Sequence, residues 1–169
     1  DIMKNILFAA SECVPFIKTG GLADVCGALP RYINKDEFDV RVILPYYTCI
    51  PPKFRDNFKY VTHFYMDYGM RSESVHVGIM EYEYNGIRFY FVDNEYYFKR
   101  GSIYGDFDDA ERFAFFSRAV VEFIAATDNV PDVLHANDWQ SALSIVYLKT
   151  EYAGNYKLSS IKTVYTIHN

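Results

Sequence analysis

The chain has 169 residues, a mass of 19.7 kDa and a formal net charge of −5 at pH 7. The length is typical of one domain, 50% of the residues are hydrophobic and 23% are charged, so extensive disorder is excluded. No apolar run approaches the roughly 20 residues of a membrane helix, and no Lys/Arg cluster favours nucleic acid, so we expect neither as a partner.

The cysteine pattern points to reduced thiols. Cys13, Cys26 and Cys49 are too scattered for a disulfide framework, and none forms the CxxC pair typical of a zinc site. No signal-like segment opens the chain, which begins Asp1-Ile2-Met3-Lys4 and continues into a strand-like segment. We therefore expect a cytoplasmic protein without a bound metal.

The first elements alternate between strand and helix patterns. Residues 4–10 form a short apolar run typical of a buried strand, and a loop follows over 11–19. A helix is predicted from residue 22 to about 33, and a second strand over 39–45. Irregular backbone is then predicted by three prolines: Pro45, Pro51 and Pro52.

The middle of the chain has an antiparallel pattern. Residues 59–68, 74–84 and 87–92 alternate or are rich in β-branched and aromatic side chains, which is typical of strands. Asn85-Gly86 separates the last two and favours a type I′ hairpin turn, in which both central residues need positive φ. We expect an antiparallel insertion within a βα chain.

A helix is predicted after the loop at 101–106. Asp108 or Asp109 is expected to cap it by accepting from free backbone N–H groups, and it should end near residue 127. One apolar face is expected from the three-to-four-residue spacing of four side chains: Phe113, Phe116, Val120 and Phe123.

The remaining elements are a strand, a helix and a strand. The strand is predicted over 131–135, the helix over 138–152 and the last strand over 161–167. Strands that alternate with helices predict an α/β fold: a Rossmann-like parallel sheet with helices on both faces, carrying the antiparallel hairpin insertion. Without a Pro/Gly/Ser linker, residues 1–169 are expected to form a single domain.

Three polar clusters follow apolar strand-like runs. They are Ser11-Glu12 leading to residues 18–21, then residues 135–139, then His168-Asn169. In an open α/β sheet, ligands bind outside the carboxyl ends of the strands. The three clusters are therefore expected to converge on one crevice.

Residues 18–21, Lys-Thr-Gly-Gly, can bind phosphate or simply turn the chain into a helix. Glycines let backbone N–H groups approach a ligand, the positive end of the following helix suits an anion, and Lys18 adds a charge. The segment matches neither the P-loop nor the dinucleotide-binding pattern. A plain helix-entry turn is the competing interpretation.

The other two clusters are equally open on residue type alone. Asp138 can cap the next helix or accept from sugar hydroxyls, and Trp139 can pack in the core or stack on a sugar face. His168 can be structural or can contact a ligand at the mouth of the crevice.

Residues 11–25 closely resemble the N-terminus of bacterial glycogen synthases and plant starch synthases. The shared signature is Lys-x-Gly-Gly-Leu-Ala-Asp, which occupies residues 18–24. The resemblance spans essentially the whole chain, in the family's order and spacing, through four further segments: Asn85-Gly86, Ser102–Asp106, His135–Gln140 and Thr166–Asn169. It favours the ligand-binding interpretation of each cluster.

The resemblance implies part of the N-terminal lobe of a two-lobed GT-B glucosyltransferase. The family moves glucose from ADP-glucose to the non-reducing end of an α-1,4-glucan, with retention and without a metal or other cofactor. By resemblance, Lys18, Gly20 and Gly21 lie at the phosphates. His168 faces the transferred glucose and stabilises its developing positive charge, through its ring or backbone carbonyl.

The remaining motif residues have less specific implied roles. Asp138 and Trp139 would contact glucose or acceptor, while Tyr104 lines the same cleft and Asn169 belongs with the binding residues. Glu12 and Asp24 are part of the motif, and their binding and scaffolding roles cannot be separated at this level.

Two departures from the family stand out. Many members have His-x-His-Asp-Trp where this chain has Asn137 in place of the second His, and Asn cannot carry charge. The sequence also lacks the family's second, C-terminal nucleotide-binding lobe. We therefore expect these residues to fold without catalysing transfer alone, to expose apolar surface and to be prone to self-association.

Two alternatives remain. An α-glucan phosphorylase-like enzyme shares the two-lobed architecture and a Gly-Gly-Leu turn, but Ala23-Asp24 and Asp138-Trp139 favour the synthase. A non-catalytic glucan-binding module is the other alternative, since Trp139 and the 16 tyrosines could stack on sugars. The choice between ADP-glucose and UDP-glucose stays open, because the missing lobe would recognise most of the base.

Overall fold

The fold is built on one seven-stranded mixed sheet. The computed structural model describes residues 2–69 and 73–168. Within these ranges the strand order is β3-β4-β5-β2-β1-β6-β7. The strands are β1 Lys4–Ala9, β2 Phe38–Pro45, β3 Lys59–Tyr68, β4 Glu73–Tyr84, β5 Ile87–Asp93, β6 Val133–Asn137 and β7 Lys162–Thr166. The helices are α1 Gly21–Tyr32, α2 Pro52–Arg55, α3 Glu95–Phe98, α4 Asp109–Ala126 and α5 Trp139–Lys149, with a 3-10 turn at Tyr156–Leu158.

The parallel and antiparallel parts of the sheet meet at β5. β5, β2, β1, β6 and β7 run parallel, whereas β3–β4 and β4–β5 pair antiparallel. Asn85 and Gly86 join β4 to β5 with φ of 50° and 78°, as a type I′ turn requires. The predicted α/β fold with an antiparallel insertion is thus confirmed, and the insertion extends one edge of the same sheet.

Helices cover both faces of the sheet. Tyr90 of β5 packs against Phe123 of α4 with ring centroids 4.9 Å apart. Its neighbours Phe89 and Phe91 point to the opposite face, because side chains alternate along a strand, and there they contact Phe16. Arg31 of α1 lies over Tyr84 on this second face. The predicted apolar stripe of α4 is fully buried.

Three local expectations are wrong. The strand predicted over 131–135 lies at Val133–Asn137, so part of the second polar cluster is inside β6. The segment after Pro51 contains the one-turn helix α2, with Pro52 at its start, where a missing N–H costs nothing. The Asp108 carboxylate does not cap α4, and that of Asp109 instead accepts from the backbone of Gly105 and Asp106.

All three cysteine side chains, Cys13, Cys26 and Cys49, are free thiols. Burial raises the pKa of Cys13 and Cys26, so both stay protonated near neutral pH. Across residues 2–69 and 73–168, no cluster of three or more His, Cys, Asp or Glu side chains is arranged to hold a metal ion. No helix in these ranges is both long and apolar enough to span a bilayer.

Candidate active site

A crevice opens at the carboxyl end of the sheet, beside β1 and β6. The chain leaves β1 towards β2 on one side and later returns to β6 on the other, so this is the topological switch point where α/β sheets bind ligands. The crevice has a volume of about 490 Å³. Its walls contain Glu12, Thr19, Gly20, Gly21, Leu22, Val25, Tyr104, Asp138, Gln140 and His168.

Glu12 organises one wall. Its side chain is buried, and Oε1 accepts from the backbone N–H of Gly20 at 3.0 Å and of Ala23 at 3.3 Å. Oε2 accepts from the hydroxyl groups of Thr19 and, at 2.9 Å, Tyr104. A carboxylate at the positive end of α1 is favourable. Glu12 therefore ties the loop after β1 to the start of α1 and fills the inner part of that helix terminus.

Gly20 and Gly21 differ in their backbone hydrogen bonding and in the space around them. Gly20 has extended backbone, with φ of −159°, and its N–H already donates to Glu12. Gly21 begins α1, and a Cβ atom placed on it would meet nothing within 4 Å. The space next to Gly21 is therefore open to a ligand.

Lys18 and Asp24 form an ion pair at the rim of the crevice. Lys18 Nζ lies 2.7 Å from Asp24 Oδ2, and the two side chains are 53% and 56% exposed. An ion pair so open to water contributes little to stability. Lys18 can therefore exchange this partner for another anion at low cost.

Tyr104 lines the crevice beside Glu12. Its hydroxyl donates to Glu12, so the hydroxyl of Ser11 must be the donor in the Ser11–Tyr104 hydrogen bond. Burial raises the pKa of Tyr104, which keeps the phenol protonated. The hydroxyl of Tyr47 donates to the carbonyl of Ser11 at 2.7 Å. The loop after β1 is thus held by three hydroxyl groups as well as by Glu12.

A bidentate ion pair between Arg100 and Asp108 closes the loop that carries Tyr104. Arg100 Nη1 and Nη2 each donate to one oxygen of Asp108 at 2.9 Å. The Asp108 side chain is only 4% exposed. The hydrogen bonds from Arg100 lower the pKa of Asp108, against the opposing effect of burial.

This pair predicts a specific acid sensitivity. Because the folded pKa of Asp108 lies below its unfolded value of about 3.9, the contribution of the pair is complete above that pH. It is lost as the pH falls through the folded pKa. Unfolding free energies measured from pH 7 to pH 2 should decline less steeply below pH 4 in Asp108→Asn than in the wild type. The exposed Asp128→Asn is the control, and equal slopes for Asp108→Asn and wild type would contradict the assignment.

Asp138 connects two strand ends. Its N–H donates to the carbonyl of Thr166 at 2.9 Å, and its Oδ1 accepts from the N–H of His168 at 2.6 Å. The expected cap of α5 is absent, since the carboxylate is engaged by His168 instead. Asp138 has φ of 60° and ψ of 175°, a conformation that is strained for any residue except glycine.

The ring of His168 is also held by the turn after β6. Nε2 lies 2.9 Å from Asn137 Oδ1. Close by, Nε2 of His135 is hydrogen-bonded to the Thr166 hydroxyl. Burial, and then repulsion from His168, lowers the pKa of His135, which favours its neutral form.

Two residues of α5 lie differently from expectation. Trp139 is 52% exposed and meets Phe113 edge to face, so it is not a core residue, and it lies outside the crevice wall. Gln140, which the motif contains but which was given no role, is buried at the wall. Its Oε1 has no hydrogen-bond partner within the described residues. No signal in the sequence indicated this buried amide oxygen.

The structure thus brings most of the candidate residues together. Glu12, Gly20, Gly21, Tyr104, Asp138 and His168 share the crevice wall. Lys18, in the loop after β1, and Asp24, in α1, form an ion pair beside the crevice. Trp139 lies outside the crevice wall. Asn169 lies outside the described residues.

Known proteins match this chain along nearly its whole length. The sequence profile of the starch synthase catalytic domain matches residues 5–169. The glycogen synthase of Clostridium novyi (strain NT) is 54% identical over 166 residues, covering 98% of this chain and 34% of that protein. The glycogen synthase of Lachnospira eligens is 50% identical over 168 residues, covering 99% of this chain and 35% of that protein. The chain spans about a third of the length of the curated relatives it matches.

A solved structure agrees in fold. It is the catalytic domain of starch synthase IV from Arabidopsis thaliana bound to ADP and acarbose, and it matches with a TM-score of 0.88 at 28% identity. The match covers 99% of this chain and 34% of the other. The resemblance seen in the motifs therefore extends to the arrangement of the sheet and helices.

Proposed function

This chain belongs to the starch synthase catalytic domain family, and from that premise we propose that it forms part of the catalytic lobe of a glycogen or starch synthase. The complete enzyme transfers glucose from ADP-glucose to the non-reducing end of an α-1,4-glucan, with retention. The observation that carries the proposal is the crevice at the switch point of the sheet. It lies between the start of α1 and the hydrogen-bonded pair Asp138 and His168, which follow β6 and β7.

The start of α1 is proposed to bind the diphosphate of the donor. Glu12 accepts from the N–H groups of Gly20 and Ala23, and we propose that the N–H of Gly21, which Glu12 does not engage, donates to the ligand in the open space beside the Gly21 Cα. Lys18 at the rim supplies a positive charge once it leaves Asp24. Amides at a helix terminus together with a lysine can neutralise phosphate without a metal.

The turn after β6 is proposed to hold the transferred glucose. Asp138 and His168 lie across the crevice from Gly21 and share a hydrogen bond, so a sugar placed between them would meet both. The Arabidopsis neighbour is bound to ADP and acarbose, a pairing that fits a nucleotide and an oligosaccharide side by side.

The residues described here are proposed to need a second lobe for catalysis. The chain covers 34% of its structural neighbour, and the crevice is open on one side. We propose that residues 1–169 are one incomplete N-terminal domain and that the missing lobe supplies the remaining phosphate and adenine contacts. α5 carries an exposed apolar stripe for such packing: Trp139, Leu143 and Val146.

Replacement of Lys18 by alanine tests the phosphate assignment. In a synthase of full family length carrying this chain, the KM for ADP-glucose should rise about 10-fold, because one charge-assisted contact is worth about 1.5–3 kcal/mol. The melting temperature should be unchanged, since the pair with Asp24 is exposed. Glycogen binding should persist. An unchanged KM would remove Lys18 from the site.

Replacement of Gly21 by alanine separates a binding role from a structural one. The added Cβ meets no protein atom, so the free energy of unfolding should stay equal or rise by up to about 1 kcal/mol. In the full-length synthase the donor KM should nevertheless rise, because the methyl group takes space next to the phosphate-binding amide. Unaltered donor kinetics would contradict the assignment.

Gly27 is the matched control for Gly21 in the same helix. A Cβ there would lie 2.2 Å from Val14 Cγ2 and 3.0 Å from the Val14 carbonyl oxygen. Gly27→Ala should therefore destabilise the chain by about 1–3 kcal/mol through overpacking. It should leave the donor KM of the folded enzyme unchanged.

A further inference from the structure

Asn137 occupies a position from which it controls the state of the His168 ring. The side chain is 1% exposed and stands at the end of β6, between β1 and β7. Its Nδ2 lies 3.3 Å from the carbonyl oxygen of Ala9 and 3.3 Å from that of His135. Its Oδ1 lies 2.9 Å from His168 Nε2.

The two carbonyl groups determine the orientation of the amide. A carbonyl oxygen can only accept a hydrogen bond, so the amide NH₂ must face Ala9 and His135. The amide oxygen is thereby directed at His168. Because that oxygen can only accept, Nε2 of His168 must carry the proton.

We propose that Asn137 is a positioning residue that fixes His168 in the tautomer protonated on Nε2. Nδ1 is then the only basic nitrogen of the neutral ring. Nε2, paired with Asn137, is removed from proton transfer. The backbone N–H of His168 donates separately to the Asp138 carboxylate. The ring and the backbone N–H of His168 are therefore both held by the end of β6 and the residue that follows it.

The effect on catalysis rests on the proposed function, whereas the tautomer itself does not. A neutral ring of fixed orientation can stabilise positive charge at the sugar without taking a proton through Nε2. The titratable groups near this ring are Asp138 after β6, His135 on β6 and Glu12 in the same crevice. Asn137 adds an acceptor that does not ionise.

Nuclear magnetic resonance of the ring nitrogens tests the tautomer in the 169-residue chain. At a pH at which the His168 ring is neutral, it should show a protonated Nε2 and an unprotonated Nδ1. In Asn137→Ala the two nitrogen shifts should converge, as tautomers exchange. Asn137→Asp keeps an acceptor for Nε2 but loses both donors to the Ala9 and His135 carbonyl groups, so it should keep Nε2 protonated in a less stable chain. His63 and His76, on β3 and β4 at the far side of the sheet, report whether the fold is intact.

Two results would overturn the inference. One is a wild-type His168 protonated on Nδ1, which needs no variant and so does not depend on whether Asn137→Ala folds. The other is a folded Asn137→Ala with unchanged His168 shifts. In a synthase of full family length, Asn137→Ala should lower kcat more than it changes KM, and Asn137→Asp should restore part of the loss. A confirmed tautomer without any glucosyl transfer would refute the proposed function alone.

Discussion

Asp138→Ala should abolish most glucosyl transfer in a synthase of full family length that carries this chain. The carboxylate holds the N–H of His168 at 2.6 Å, and its loss frees the backbone proposed to face the transferred glucose. Misplacement of such a group by about 1 Å costs roughly 10²-fold in rate. We therefore expect kcat to fall at least 100-fold, with a smaller change in the donor KM. A kcat within threefold of the wild type would contradict this role.

The strained backbone of Asp138 supplies matched controls. Asp138→Asn keeps an oxygen acceptor for His168 and should lose much less activity than Asp138→Ala. Asp138→Gly loses the carboxylate but relieves the strain at φ of 60°. In the 169-residue chain, denaturant unfolding should show Asp138→Gly to be more stable than Asp138→Ala by about 1–2 kcal/mol. Equal stabilities would mean that this turn is not strained.

Glu12→Ala should produce the largest loss of stability that we expect. It leaves three backbone N–H groups and the hydroxyl groups of Thr19 and Tyr104 without their buried acceptor. Each unsatisfied buried donor costs about 1–3 kcal/mol, and partial rearrangement brings the expected total to about 3–5 kcal/mol. Urea unfolding of the 169-residue chain measures this directly.

Glu12→Gln should cost only about 1–2 kcal/mol. Its carbonyl oxygen can still accept from Gly20 and Ala23, while its NH₂ faces the hydroxyl oxygens of Thr19 and Tyr104, which can accept. The exposed Glu37→Ala is the control and should stay within about 0.5 kcal/mol of the wild type. A loss below 1 kcal/mol in Glu12→Ala would show that Glu12 does not organise the wall.

Strand and helix patterns predicted most of the architecture because they report local burial. Residues 59–68 are rich in β-branched and aromatic side chains, and the predicted strand matches β3. The strand predicted over 131–135 ended too early because Ala136 and Asn137 were assigned to the polar cluster that follows it. They are in β6 because it pairs with β1 and β7 on either side, which is a tertiary effect. α2 and α3 span four residues each, too few for a helical period.

The location of the site could be predicted from the sequence, but the hydrogen bonds between its residues could not. Strand ends in a parallel sheet meet at one edge, so Glu12, Asp138 and His168 were expected to converge. The sequence does not reveal that Glu12 bonds to Tyr104, 92 positions away. Asp138 has the residue type of a helix cap, yet its carboxylate is taken by His168, 30 positions later. These hydrogen-bond partners are determined by the order of the strands in the sheet, which brings distant segments together.

Transfer of labelled glucose into glycogen tests the central claim most directly. ADP-glucose and UDP-glucose would be supplied separately to a synthase of full family length carrying this chain, to its Asp138→Ala variant and to the 169-residue chain alone. A parallel reaction would contain glycogen and inorganic phosphate. We predict incorporation from ADP-glucose by the full-length enzyme only, lost in Asp138→Ala. Release of glucose 1-phosphate without incorporation, or no reaction from a folded full-length protein that still binds glycogen, would contradict the synthase assignment.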